Sequence, residues 1–125
     1  MKTRAGHAAR VLIVEDDDAL RELLAIMLSG HGCQIATAQD GRHAIEVLAT
    51  SNFDLVLLDL MMPQMDGLRL LRWLRKEQGL TVPVVIVSAT SDPGTAEGLC
   101  AEGANAVLQK PVELPALLDQ ISKLL

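Results

Sequence analysis

Short apolar runs alternate along the chain with longer stretches in which apolar positions recur every three or four residues. The runs are Val11 to Val14, Gln34 to Thr37, Leu55 to Leu58, Val84 to Val87 and Ala106 to Leu108. The first, third and fourth are unbroken and built from Val, Ile and Leu, as in parallel strands covered on both faces. The second and fifth are weaker, which predicts edge positions. Between the runs, Leu20, Leu23, Leu24, Met27 and Leu28 follow helical spacing, and Gly30 and Gly32 end that helix. Asp40-Gly41 opens a second helix carrying Ala44, Ile45, Val47 and Leu48, and Asp66-Gly67 opens a third carrying Leu68, Leu70, Leu71 and Leu74. The last helix carries Leu114, Leu117, Leu118, Ile121, Leu124 and Leu125, with Pro115 tolerable only in its first turn. Ser91 to Gly103 is the poorest helix of the series, because Pro93, Gly94 and Gly98 interrupt it; each interior glycine costs about 1 kcal/mol relative to alanine. It is expected to be short and mobile.

Five β-α alternations predict one α/β domain, a doubly wound five-stranded parallel sheet with right-handed crossovers and helices on both faces. Ligands of such sheets bind outside the carboxyl ends of the strands. The polar residues at those ends therefore matter most. The first run is followed by Glu15, Asp16, Asp17 and Asp18, the third by Asp59, the fourth by Ser88 and Ala89, and the fifth by Gln109, Lys110 and Pro111.

Composition narrows the chemistry. The chain has 125 residues, a domain-sized length, and half of them are apolar. Trp73 and Phe53 are its only aromatic residues, so the core must be aliphatic. The net charge is −5 with scattered bases, which argues against direct nucleic-acid binding. Lys2, Arg4 and Arg10 lie too close to the following acids to form a basic patch. Cys33 and Cys100 lack metal or framework spacing and are expected to be reduced, structural thiols. No apolar run approaches a membrane span and no export signal precedes the first strand, so a cytoplasmic location is expected.

Like-charged carboxylates at one sheet edge repel one another unless a cation lies among them. All-oxygen donors suit a hard, partly hydrated ion such as Mg²⁺. A hydroxyl and a lysine opposite could bind phosphoryl oxygens, and an aspartate between metal and lysine can act as nucleophile. The convergence predicts phosphoryl transfer onto Asp59. Taken singly, these residues have plainer roles. Asp17 and Asp18 are expected to cap the first helix and Asp66 the third. Ser88 alone would be a turn hydroxyl and Lys110 alone a solvated charge. His7, His31 and His43 have no partner spacing and read as surface residues, and Met61, Met62 and Met65 as loop packing.

The motifs "VLIVEDD", "LVLLDLMMPQMDG", "VVIVSAT" and "VLQKP", in this order and spacing, resemble those of receiver domains of two-component response regulators. The resemblance runs from about Arg10 to Leu125 and leaves residues 1–9 as an N-terminal lead before a receiver domain over 10–125. It implies the flavodoxin-like, CheY-like strand order 2-1-3-4-5 with five flanking helices. By position, Asp59 would be the phospho-acceptor. Glu15, Asp16, Asp59 and the backbone carbonyl of Met61 would hold Mg²⁺, with Mn²⁺ able to substitute. Ser88 would be the switch hydroxyl, Ala89 the small residue beside it, and Lys110 the contact to phosphoryl oxygens, followed by a cis bond before Pro111.

The implied donor is a histidine kinase or histidine phosphotransfer protein, with small acyl-phosphates as substitutes. The implied activity is transfer onto itself and self-dephosphorylation, without turnover of an outside substrate. Two positions depart from the family: Val107 stands where Tyr or Phe is usual, and Val112 where Phe is common. Activation is therefore expected to run through segment 91–103 and its Ser88–Ala89 hinge. Met61 and Thr90 stand where the family varies its dephosphorylation rate. The output would be a docked partner, an attached output domain or a homodimer through the last two helices, with no membrane or nucleic-acid contact. A pseudo-receiver without chemistry is opposed by the intact Glu15, Asp16, Asp59, Ser88 and Lys110. A flavodoxin-like cofactor enzyme would need a phosphate loop where this chain has acids.

Overall fold

The computed structural model describes residues 1–60, 67–89 and 93–125. Asp66, the Met61 carbonyl, Met62, Met65, Thr90 and the start of segment 91–103 lie outside them. The strands are β1 (Arg10–Val14), β2 (Gln34–Ala38), β3 (Leu55–Asp59), β4 (Val84–Ser88) and β5 (Ala106–Gln109). All pairs are parallel, in the order β2-β1-β3-β4-β5. The weaker second and fifth runs are the edges, as expected. The helices are α1 (Asp18–Gly30), α2 (Gly41–Thr50), α3 (Gly67–Arg72), α4 (Pro93–Ala101) and α5 (Leu114–Leu124).

Successive strand residues point to opposite faces, and the core divides accordingly. Leu12, Val14, Val56, Leu58, Val84 and Ile86 face α2, α3 and α4, packing with Ala44, Leu70, Leu71 and Leu99. Val11, Ile13, Leu55, Leu57, Val85 and Val87 face α1 and α5, packing with Leu24, Leu28, Leu117 and Ile121. Every residue of β3 and β4 is buried. Leu23 departs from the expected core stripe: it is 51% exposed, as is Ile26 at 62%, because only Leu24 and Leu28 of α1 point fully at the sheet.

Helix ends follow local chemistry. Asp17 caps α1 by accepting the Leu20 N–H at 3.0 Å. Asp18 is not a cap; it is the first helical residue and pairs with Arg21. At the other end, Gly32 has φ +86°, its N–H donates to the Ser29 carbonyl, and Cys33 N–H donates to that of Leu28. That paired closure suits a glycine in the left-handed region. Asp40 caps α2 through the His43 N–H at 2.8 Å. Pro115 lies in the first turn of α5, as required.

Two features were not visible in the periodicity. A π-helical turn, Trp73–Glu77, continues α3. Within it, Arg75 donates to the carbonyls of Gly103 (3.0 Å) and Leu80 (2.9 Å) and to Asn105 Oδ1 (3.0 Å), which also accepts the Val84 N–H. One guanidinium thus ties together the segments that enter β4 and β5. Residues 1–9 are also more than a lead: Lys2 and Ala8 form an antiparallel bridge, and Met1 packs against the α1/α5-side core. Both cysteines are free; Cys33 is buried, whereas Cys100 is exposed on α4 and has no core role. His43 is half-buried beneath the Gln39 N–H, unlike the exposed His7 and His31. Among the described residues no helix is long and apolar enough to cross a membrane.

Gly67 and Gly98 make opposite predictions. A Cβ on Gly67 would lie 2.6 Å from the Asp59 carbonyl oxygen and 2.7 Å from Leu60 Cα, whereas one on Gly98 meets nothing within 4 Å. Gly67→Ala is expected to cost about 1–3 kcal/mol by forcing backbone apart. Gly98→Ala should stabilise α4 by about 0.5–1 kcal/mol. Urea denaturation of the two variants checks both signs.

Candidate functional site

Strand register brings the expected residues together. Val14 is level with Leu58, Asp59 with Val87, and Ser88 with Gln109. Glu15 therefore emerges beside Asp59, with Ser88 and Lys110 one strand and two strands further on. The Glu15 N–H still donates to the Ala38 carbonyl (3.1 Å), and the Lys110 N–H to that of Ser88 (2.7 Å). Glu15 and Lys110 are thus anchored by their own backbone at the sheet's carboxyl edge. The Lys110–Pro111 bond is cis.

Glu15, Asp59 and Ser88 are 3%, 3% and 2% exposed, so two carboxylates are desolvated side by side. Lys110 Nζ lies 3.1 Å from Asp59 Oδ1 and 3.9 Å from Glu15 Oε2. One ammonium therefore faces two acids. Burial foremost, and then the negative charge of Asp59, push the Glu15 carboxyl up to about 7. The Asp17 N–H, donated to Glu15 Oε1 at 3.2 Å, and the charge of Lys110 pull it the other way.

Asp16 remains exposed at the rim, where it completes a triad. One carboxylate oxygen from each of Glu15, Asp16 and Asp59 lies within 4.8 Å of the others. Two acids beyond the one that Lys110 contacts most closely leave unbalanced negative charge, and the donors are all oxygen. That set fits a small hard cation. The residues present could hold such an ion.

Ala89 is exposed just past Ser88. Val107 is half-buried and packs against the α2/α3/α4-side core. Pro111 borders an open groove of about 410 Å³ that Lys110, Val112 and Glu113 also line. Met61 lies outside the described residues.

Two neighbours support the site, of which the motif reading held Gly67 as a helix opener and missed Arg21. Gly67 donates its N–H to the Leu60 carbonyl (2.9 Å) and seats α3 against the end of β3. Arg21 reaches back along α1 to the Glu15 carbonyl (3.0 Å). Only its spacing of three from Asp18, a helical ion-pair interval, signals it in the sequence.

The sequence profile described as "Response regulator receiver domain" matches residues 11–122. The chain is 39% identical over 116 residues to "Response regulator MprA" of Mycolicibacterium vanbaalenii, covering 93% of this chain and 50% of that protein. It spans about half the length of the first curated relatives it matches. The receiver domain of the Francisella response regulator 1452 superposes with a TM-score of 0.89 at 29% identity, covering 93% of this chain and 95% of that one. Response regulator protein TrrA of Thermotoga maritima, solved in complex with Mg²⁺-BeF, gives a TM-score of 0.83 at 31% identity, covering 94% and 99%. The profile accounts for nearly the whole chain, and the strand order and the acids at the sheet edge agree with it: the chain belongs to the receiver domains of two-component response regulators.

Proposed function

We propose that Asp59 is the phospho-acceptor of this receiver domain, taking a phosphoryl group from the phosphohistidine of a histidine kinase or phosphotransfer protein. The observation that carries this reading is a buried carboxylate, Asp59, that shares an acidic cluster with Glu15 and Asp16 and has the Lys110 ammonium 3.1 Å away. A carboxylate oxygen of Asp59 attacks phosphorus, the P–N bond to the donor imidazole breaks, and its electron pair leaves on nitrogen. Lys110 then faces the transferred oxygens and offsets their charge. Glu15, Asp16 and Asp59 would together hold Mg²⁺. When bound, the ion neutralises charge on the phosphoryl group. TrrA, a relative in fold and sequence, was solved with Mg²⁺-BeF, which supports that choice of ion.

In this reading the domain modifies itself and turns over no outside substrate. Ser88, buried at the neighbouring strand end, hydrogen-bonds the new oxygens, and the small Ala89 leaves room for them. Val107 cannot reproduce the motion of an aromatic ring, so the change passes through Ser88 and Ala89 into α4. The signal is read by a partner, an attached output domain or a second copy docking on α4 and α5. The setting is cytoplasmic, where histidine kinases present their phosphohistidine.

Incubation with acetyl phosphate and Mg²⁺ should add one phosphoryl mass to the intact protein. The adduct should be absent from Asp59→Ala and from samples lacking Mg²⁺; an adduct surviving in Asp59→Ala would sink the assignment. Beryllofluoride should alter amide exchange across α4 in the wild type but not in Ser88→Ala. Unchanged exchange in the wild type would remove α4 from the switch.

Glu15 also makes the site proton-sensitive. Its folded pKa of about 7 lies above the ordinary carboxylate value of 4.5. Without metal, its contribution to stability is present below about 4.5 and is lost as pH rises through about 7. Mg²⁺ must displace that proton, so affinity should rise about tenfold per pH unit on approaching 7 and level off above it. Calorimetric titration from pH 5.5 to 8.5 tests this, and Glu15→Gln should flatten the metal-free stability profile.

A further inference from the structure

Arg21 stands in the first turns of α1, and long helical side chains lean toward the helix N-terminus. Here that direction leads to the loop that carries Glu15 and Asp16. Arg21 Nη1 donates to the Glu15 carbonyl at 3.0 Å, and Nη2 donates to Asp18 Oδ1 at 2.5 Å. The Glu15 side chain accepts the Asp17 N–H, and Asp17 Oδ1 accepts the Leu20 N–H. The loop is thereby closed at both ends: locally by two carboxylates on backbone amides, and across six residues by one guanidinium.

A helical arginine and aspartate three apart would ordinarily be a solvated pair contributing little. This arginine differs, because its side chain is only 19% exposed while that of Asp18 is 88% exposed. Its first partner is also not a side chain but the carbonyl of Glu15. The amide of Glu15 is still in the sheet ladder with Ala38. Its carbonyl lies past the last paired residue of β1, Val14, and takes Arg21 as donor. The bond therefore acts at the point where strand becomes loop, one residue before Asp16.

We propose that Arg21 is a positioning residue that locks the β1–α1 loop so that Glu15 and Asp16 face Asp59 before any cation arrives, with Asp18 orienting its guanidinium. The proposal rests on reading Glu15, Asp16 and Asp59 as a cation site. A loop arranged in advance binds an ion more tightly because the ordering cost has already been met. Arg21 touches neither the ion nor the phosphoryl group; it acts through the backbone of Glu15. Both arms of its planar fork are used, one on a carbonyl and one on a carboxylate, and lysine cannot reproduce that geometry.

The test compares wild type, Arg21→Gln, Arg21→Lys, Asp18→Asn and the Arg21→Gln/Asp18→Asn double variant. Metal-free amide exchange at Asp17 reports the loop, and calorimetric titration with Mg²⁺ reports the site. Arg21→Gln should speed Asp17 exchange about fivefold, the ratio matching one net hydrogen bond, and raise the Mg²⁺ Kd by a similar factor. Arg21→Lys should recover only part of either change. Asp18→Asn should speed Asp17 exchange less, and should add nothing to it in the Arg21→Gln background, since Asp18 acts through the guanidinium. If Arg21→Gln proves unfolded, Asp18→Asn at an exposed carboxylate carries the test: unchanged Asp17 exchange there overturns the proposal. Equal exchange and equal Kd in Arg21→Gln and wild type overturn it as well, as does full additivity of the two substitutions in exchange. A wild type that binds no Mg²⁺ overturns the cation reading itself, whatever the exchange at Asp17.

Discussion

Two carboxylates, Glu15 and Asp59, are buried side by side with one ammonium between them and solvent. Desolvated like charges are among the most destabilising groupings a fold can carry. Much of what surrounds the site can be understood as holding that grouping in place. Lys110 offsets part of the repulsion, and a proton on Glu15 offsets more near neutral pH and below. The grouping is thus metastable without a cation and complementary to one, which is the property a metal-dependent phospho-acceptor site requires.

Such a site needs a rigid frame, and the frame is the sheet. Strand residues alternate between two aliphatic clusters, so a one-residue slip of β3 would exchange its buried faces and move Asp59 off its register with Val87. The almost entirely aliphatic core has little scope for aromatic stacking; its stability comes from dense packing of Leu, Val and Ile against both faces. Around that frame lies a second layer. Gly67 lets α3 approach the Asp59 backbone, and Arg21 closes the loop of Glu15 and Asp16.

The opposite edge of the sheet is tied more firmly. Arg75 bridges the segments entering β4 and β5, while Glu102 accepts both Arg72 (3.0 and 3.2 Å) and Lys76 (3.6 Å). These contacts fasten the residues just after α4 to the continuation of α3. Val107, a small aliphatic side chain, packs against the cluster that includes Leu99 of α4.

Read by itself, the sequence determined the strand count, the parallel order with β2 and β5 at the edges, the capping roles of Asp17 and Asp40, and the residues at the sheet's carboxyl edge. These follow from local rules: period two for buried strands, period 3.6 for helices, cap chemistry, and the register that aligns parallel strand ends. Tertiary structure alone decided which apolar residues of α1 remain exposed, since Leu23 and Leu24 differ only in rotation about the helix. It also decided that Asp18 serves Arg21 rather than a cap, that Trp73–Glu77 is π-helical, and that residues 1–9 fold back on themselves through the Lys2–Ala8 bridge. Arg75 meets Gly103 and Asn105 across 28 and 30 residues. Contacts of that separation leave no periodic trace, because a single polar side chain carries its partner's identity only once the chain has brought the two together.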